Sequence, residues 1–388
     1  MAVRVVILGG DGFCGWPSAL ALAQAGHEVL ILDNLSRRRI DEWLGVQSLT
    51  PIASMAERVE VARSLDYHID FKCLDIVQEY EALRDAMAQF RPDTVVHLAE
   101  QRSAPYSMKS SANRRYTVQN NVCGTHNVLS ALVDTRIDAH LVHLGTMGVY
   151  GYNTMGARIP EGYLDVSVPN DAGEWVSRSI LYPVDPGSIY HMTKTQDQLL
   201  FQFYNKNYGL RITDLHQGVI WGTNTELTSA HPALINRFDY DGDYGTVLNR
   251  FLMQAALGYP LTIHGSGGQE RAFIHIRDSA RCVQIAVENP PTDRSRVRIF
   301  NQATEVHQVA RLAHMISKMT GVPVQHLPNP RIESENNQLK MVAEGLVGLG
   351  LSPTHLNDGL LTEILDTARK YMSRADISKI PSTSQWRA

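Results

Sequence analysis

The chain has 388 residues, 44% of them apolar and 20% charged, with a formal net charge of −4. That is the make-up of an ordinary globular protein, long enough for one large α/β domain or two abutting ones. Electrostatic binding to nucleic acid is excluded by the balance of charge, and no apolar run reaches the ~20 residues of a membrane helix.

The opening "MAVRVVILGGDG" runs directly into a strand-like segment, which leaves no room for a leader and leads to the expectation of a cytoplasmic protein. "VRVVILGG" (3–10), "EVLILDN" (28–34), "TVVHLAE" (94–100) and "AHLVHLGT" (139–146) read as strands. "GWPSALALAQAG" (15–26) and "NNVCGTHNVLSALVD" (120–134) carry apolar residues at helical spacing. Strands alternating with helices imply βαβ units and a parallel sheet covered on both faces. The expected fold is therefore α/β, a Rossmann-type doubly wound parallel sheet with a smaller C-terminal substrate-binding lobe. Beyond residue 222 the pattern becomes irregular. The division expected is 1–222 for the nucleotide-binding part and 223–388 mainly for the lobe, interleaved with the first. The tail after Lys379, "IPSTSQWRA", reads as an extended terminal segment.

Arg37, Arg38 and Arg39 form the only tight basic run, which reads equally as a solvated loop and as a phosphate site. Cys14, Cys73, Cys123 and Cys282 stand far apart, and the fifteen histidines are scattered. Reduced thiols and no metal site are expected.

Gly9, Gly12 and Gly15 fall between the first strand and the first helix in G-x-x-G-x-x-G spacing. Glycines there let the chain turn tightly and let its backbone approach a pyrophosphate at the helix N-terminus. Asp33 ends the next strand, 18 residues after Gly15. A carboxylate there can accept hydrogen bonds from the adenosine ribose and would repel a 2′-phosphate, so NAD is favoured over NADP. Asp75 and Ile76 are placed to meet the adenine, and "HLAE" to line the cofactor's path.

Tyr190 and Lys194 stand four residues apart, on one face of a predicted helix. A neighbouring ammonium favours the phenolate, and Lys194 can also reach the nicotinamide ribose. A strand ending "LGTMG" presents the Thr146 hydroxyl 44 residues earlier, at the sheet's carboxyl edge. Thr146, Tyr190 and Lys194 together make an alcohol-oxidising triad. His191 beside Tyr190 is a candidate proton shuttle, since its unperturbed pKa of ~6.5 suits both directions; a histidine simply packed beside the site is the other reading.

With these residues in view, the sequence resembles an extended short-chain dehydrogenase/reductase, and more narrowly the UDP-sulfoquinovose synthase family. The strings that carry the resemblance include "GGDGFCGW", "DNLSRR", "EQRSAPYSM", "QNNVCGT", "LGTMG", "YHMTK", "DLHQGVIWG", "NRFDYD", "GTVLNRF", "HGSGGQERAFIHIRD" and "PNPRIE". The resemblance implies NAD, a UDP-glucose substrate and sulfite as the sulfur donor. The implied route oxidises C4 of the glucosyl ring, eliminates the C6 hydroxyl to a 4-keto-5,6-ene, adds sulfite at C6 and re-reduces C4. It further implies that Phe13, Cys14, Asn34, Arg37, Leu98, Asn120 and Ile220 join the cofactor site. On the same ground Arg102 and Gln217 would contact the sugar nucleotide. Val247, Leu248, Asn249, Arg250, Thr262, Ile263, His264, Arg271, Arg331 and Glu333 would complete the substrate site, with arginine forks on the diphosphate. A homodimer built from the Tyr190 helix and the helix near Asn120 is expected by analogy.

Sugar-nucleotide 4,6-dehydratases typically place Asp-Glu after the catalytic threonine; here Met147 and Gly148 stand there, which argues against an ordinary dehydratase. Two departures from the family pattern fall around the substrate: Val149 in place of an acidic residue, and "SENNQLK" after "PNPRIE". The segment 152–187 is also longer than the family pattern. The alternatives are a UDP-sugar 4-epimerase, a related nucleotide-sugar-modifying enzyme using another nucleophile or another UDP-sugar, and a non-catalytic NAD-binding regulator.

Overall fold

In a computed structural model of the chain, residues 2–151, 157–331, 333–382, 384 and 386 are described. The β-branched runs form the strands they suggest. β1 (Arg4–Leu8), β2 (Glu28–Asp33), β3 (Ile69–Cys73), β4 (Thr94–His97), β5 (His140–Thr146), β6 (Arg211–Gln217) and β7 (Arg298–Gln302) build one sheet. Its order is β7-β6-β5-β4-β1-β2-β3, and every pairing in it is parallel. The order reverses at β1, whose Leu8 sits in register with Leu32 on one side and His97 on the other. Ligands in such sheets bind beyond the strand carboxyl ends at this switch point.

Each face of the sheet is buried by its own cluster. Val5, Ile7 and Ile31 face Trp16 and Leu20 of α1 (Gly15–Gln24) on one side. Val6, Leu8 and Leu141 face Val128 and Leu132 of α2 (Gly124–Thr135), with Phe201 of α3 (Ile189–Tyr208), on the other. Trp16 is fully buried, and its indole donates to the Leu234 carbonyl at 2.8 Å, which fastens α1 to the segment after residue 222. α2 is preceded by a π turn over Gln119–Cys123 that carries Asn120; such bulges re-aim side chains and recur at functional sites.

The C-terminal residues have a core of their own. Trp221, Phe238, Phe251, Leu252, Ile263, Phe273 and Ile316 cluster between α4 (Val247–Ala256) and small sheets that include Leu261–His264 and Glu270–His275. The chain then returns through β7 to the edge of the main sheet beside β6. The long segment noted at 152–187 is largely an antiparallel hairpin pairing Tyr163–Pro169 with Trp175–Leu181; residues 152–156 of it lie outside the described residues. No helix among the described residues is long and apolar enough to cross a membrane.

Candidate active site

Gly9 has φ +86°, and a Cβ on it would lie 2.7 Å from the Ala99 N; on Gly15 it would lie 2.1 Å from the Gly9 carbonyl oxygen. Only glycine allows this turn and the tight seat of α1 beneath it, and the backbone is thereby left bare where a pyrophosphate would lie. A cavity of about 290 Å³ opens above it, lined among others by Gly9, Gly12, Phe13, Cys14, Asp33, Asn34, Arg37, Ile76, Leu98, Asn120 and Ile220. A dinucleotide fits this donor set and this bared backbone.

Asp33 reaches the cavity, but its oxygens also accept from the Asp11 N–H at 2.9 Å and the Leu35 N–H at 2.7 Å. Burial and then the Asp11 charge push its pKa up to about 6, against those two hydrogen bonds. Asp75 is placed differently from the expectation. Its carboxylate is taken by Asn34 Nδ2 at 2.9 Å and by the Val77 and Gln78 N–H groups, while Leu74 and Ile76 form the wall. The basic run is not a solvated loop. Arg37 bonds Asp41 and Asp239 and lies 3.6 Å from the Tyr244 ring centroid. Arg38 chelates Asp11 with two bonds of 2.7 Å, and Arg39 donates to the Asn34 carbonyl oxygen. With Arg37 and Arg38 each held by carboxylates, neither is left for a 2′-phosphate.

β5 ends at Thr146, whose Oγ1 accepts from the Gly148 N–H at 3.1 Å. Ser188 caps α3 by accepting from the His191 N–H at 3.1 Å, and this fixes the first turn on which Tyr190 stands. The Thr146 hydroxyl faces the Tyr190 phenol, so β5 and α3 bring the triad into one wall of the cavity. Burial pushes the Tyr190 pKa up to about 12, with Lys194 opposing and Glu100 adding to the rise. The proximity of Lys194 therefore does not by itself produce a phenolate. Glu100, His143 and Asp197 place ligand atoms within 4.8 Å of one another, and the cation among them is the Lys194 ammonium, 2.9 Å from Glu100.

His191 departs from the expected shuttle. Burial, then Arg331 and Arg271, lower its pKa to about 3, so it stays neutral at working pH. Val149 is fully buried behind Met147, which does line the cavity, and packs with Tyr150 and Ile159 without itself joining the lining. The segment "SENNQLK" is spent on structure: Asn337 Oδ1 accepts from the Glu270 N–H at 2.8 Å, and Lys340–Met341 pairs with Arg158–Ile159.

Arg102, Arg271 and Arg331 line this cavity and also a second one of about 210 Å³, so the two form one continuous trough. Val247, Arg250, Thr262, Ile263, His264 and Glu333 line the second part. Arg102 is paired with Asp239, and Arg271 with Glu333. Burial, then repulsion by Arg331, lower the Arg250 pKa to about 10, and no ion pair holds Arg250 among the described residues. Leu248 and Asn249 lie outside the lining: Leu248 packs into the lobe core, and Asn249 bonds both the N–H and the carbonyl oxygen of Gly222 at 3.0 Å. Gln217 reaches the first cavity while donating to Ser279 Oγ at 2.6 Å.

Sequence reasoning missed Tyr244, Asp239 and Trp386. Tyr244 receives both Arg37 and Arg102 on its ring. Trp386 lines the second cavity with its ring 4.8 Å from the Arg331 guanidinium. A tryptophan in an otherwise polar tail was the available signal for the last.

The model of the family described as "NAD dependent epimerase/dehydratase family" matches residues 5–301. The chain is 42% identical to the chloroplastic UDP-sulfoquinovose synthase of Spinacia oleracea, over 99% of this chain and 79% of that one. It is 38% identical to the UDP-sulfoquinovose synthase of Sulfolobus acidocaldarius, over 90% and 88%. Among solved structures, the UDP-glucose 4-epimerase of Thermotoga maritima superposes with a TM-score of 0.70 at 21% identity, covering 95% of this chain and 99% of that one. The UDP-glucuronic acid 4-epimerase of Bacillus cereus, solved with UDP-glucuronic acid and NAD, gives 0.67 at 21%, covering 96% and 99%; at these identities the likeness shows the shared fold. By sequence, fold and cofactor-cradling turn, the chain belongs to the NAD dependent epimerase/dehydratase family and, within it, to the UDP-sulfoquinovose synthases.

Proposed function

We propose that this NAD-dependent nucleotide-sugar-modifying enzyme oxidises UDP-glucose at C4, eliminates its C6 hydroxyl and adds sulfite at C6. The observation that carries the reading is the continuous trough. One part holds the Thr146, Tyr190 and Lys194 triad above the glycine turn, and the other holds Arg250, which makes no ion pair among the described residues. A sugar nucleotide lying along it would put its diphosphate among Arg250, Arg271 and Arg331 and its hexose beneath Tyr190. Bound NAD supplies a hydride acceptor, and later a donor, so the cycle needs no external oxidant.

The chain's own part is proton traffic and exclusion of water. Tyr190, with the Thr146 hydroxyl facing it, exchanges a proton with the C4 hydroxyl, and Lys194 holds the charge balance below it. His191 stays neutral and offers hydrogen bonds beside the ring. A diphosphate would offset the two arginines that help to lower its pKa, leaving burial as the main cause. The absence of an acid pair at Met147 and Gly148 supports a reaction that does not run as an ordinary 4,6-dehydration.

The test is mass spectrometry of the product from purified protein, NAD, UDP-glucose and sulfite. A UDP-sugar whose C6 hydroxyl is exchanged for sulfonate is expected. Unchanged mass with UDP-galactose would replace this reading by a 4-epimerase. We also infer a homodimer in a reducing, cytoplasmic setting. Leu199, Phe203 and Tyr208 are exposed along α3, and all four cysteines are free. Sedimentation at monomer mass would remove the dimer.

A further inference from the structure

The C-terminal residues fold back over the trough. After the turn at Ile377–Lys379, the Lys379 carbonyl oxygen accepts from the Gly242 N–H at 2.9 Å, and Lys379 Nζ donates to the Leu44 carbonyl oxygen at 2.9 Å. Ile380 is then buried in the lobe core. Ser382 crosses Gly242 so closely that a Cβ on the glycine would lie 2.5 Å from the Ser382 Cα; the missing side chain lets the two backbones pass. Ser384 is buried and donates its hydroxyl to the Pro105 carbonyl oxygen at 2.6 Å. Pro105 follows β4 of the main sheet, whereas Trp386 reaches Arg331 of the lobe, its ring centroid 4.8 Å from the guanidinium. Ser382 and Trp386 both line the second cavity. The tail thus ties the two walls of the trough together across the part that holds Arg250.

Arg331 sits among like charges. It lines both cavities, as Arg271 does, and its charge helps to lower both Arg250 and His191. Cations crowded in this way push a long side chain outward, and an aromatic face draws a guanidinium back in. We propose that Trp386 is a positioning residue for the substrate: carried on the C-terminal strap, its ring holds the Arg331 guanidinium at the junction of the two cavities, ready for a nucleoside diphosphate. A side chain fixed before the ligand arrives loses less freedom on binding, so affinity rises without the ring having to touch the ligand. The two ties divide the work. Ser384 on Pro105 fixes the course of the strap, and Trp386 sets the arginine. This inference rests on the reading above, in which a UDP-sugar lies along the trough.

The test is calorimetry of UDP binding to NAD-loaded protein, alongside kcat and KM for UDP-glucose. Trp386→Leu is expected to weaken UDP binding by about 3- to 30-fold, the range of a cation–π contact. KM should rise by a similar factor with kcat little changed, because the arginine serves bound substrate and transition state alike. Trp386→Phe should keep most of the affinity, since an aromatic face remains. Ending the chain after Ser382 removes both ties and should weaken UDP at least as much as Trp386→Leu. In an Arg331→Met background Trp386→Leu should cost little more, as the two residues act through one group. NAD stoichiometry and the unliganded melting temperature of Trp386→Leu should match wild type. Wild-type UDP affinity in Trp386→Leu, a phenylalanine variant as weak as the leucine one, or losses that add in full with Arg331→Met would each overturn the proposal. Because UDP binding is read without turnover, absence of sulfonated product would remove the functional reading and leave this measurement standing. Normal product formation with UDP affinities that do not separate would remove the Trp386 role alone.

Discussion

The imidazole of His191 fills the space that a side chain at residue 148 would need: a Cβ on Gly148 would lie 2.4 Å from His191 Nε2. This is a steric reason why the acid pair of an ordinary 4,6-dehydratase has no room after Thr146. Gly148→Ala is therefore expected to destabilise by about 1–3 kcal/mol through overpacking. Gly148→Ala combined with His191→Ala should recover most of that loss, giving a coupling within the ~0.5–3 kcal/mol range of touching residues. Urea unfolding of the two single variants and the double variant measures it; additive effects would show that the ring yields freely.

Tyr190→Phe removes the hydroxyl proposed to exchange a proton with C4 and leaves the cofactor cradle untouched. Product formation is expected to fall by about 10²–10⁴-fold, with NAD stoichiometry after gel filtration unchanged. Lys194→Met should differ in kind. It leaves Glu100 buried without its ammonium, and one-sided loss of a buried pair costs about 3–5 kcal/mol. A melting temperature equal to wild type in Lys194→Met would contradict the ion pair as described.

How far the sequence foretold this site follows from how local each signal is. The glycine turn, Asp33, and the Tyr190 and Lys194 pair depend on spacings within one turn or one helix, and these were legible. β3, "IDFKC", lacks a β-branched run, and β7 pairs with a strand more than 80 residues before it, so neither announces itself. The pairing of Glu100 with Lys194 spans 94 positions and is set by the sheet. Helical geometry held an unused clue in α4. Val247 and Arg250 are three apart and share the face that lines the trough, whereas Leu248 and Asn249 point round to the core and to Gly222. Carrying all four residues over together concealed that division.

Arg250 is half-buried, and its Nε has no hydrogen-bond partner among the described residues. Arg250→Met should leave the unliganded protein at least as stable, since a half-buried charge without an ion pair among the described residues is removed. Affinity for UDP should fall by about 1.5–3 kcal/mol, the scale of a charge-assisted hydrogen bond, or roughly 10- to 150-fold. Thermal melts with and without UDP, alongside calorimetry, read the two signs. A destabilised Arg250→Met protein that binds UDP normally would place the arginine in the scaffold.

Four histidines, His97, His140, His191 and His275, have pKa values lowered to about 3, with burial the largest cause in each. A histidine lowered on folding stabilises fully above its unfolded pKa of ~6.5, and the contribution drains away as pH falls towards the folded value. In that window the unfolded chain binds more protons, so stability rises with pH, by up to about 1.4 kcal/mol per unit for each histidine. His143, raised to about 9, has the opposite sign: its contribution is complete below ~6.5 and is lost as pH rises through about 9. The melting temperature should therefore peak near pH ~6.5–7, fall steeply towards pH 5 and decline more gently to pH 9. His140 lies far from the triad, with Nε2 2.8 Å from Thr213 Oγ1. His140→Gln should flatten the acid slope by less than a quarter while leaving the alkaline side unchanged, because His264, lowered to about 4, and His27, also lowered, share that slope with the other three. Differential scanning calorimetry from pH 5 to 9 decides it, and an acid slope unaltered by His140→Gln would mean that this ring is already charged in the folded protein.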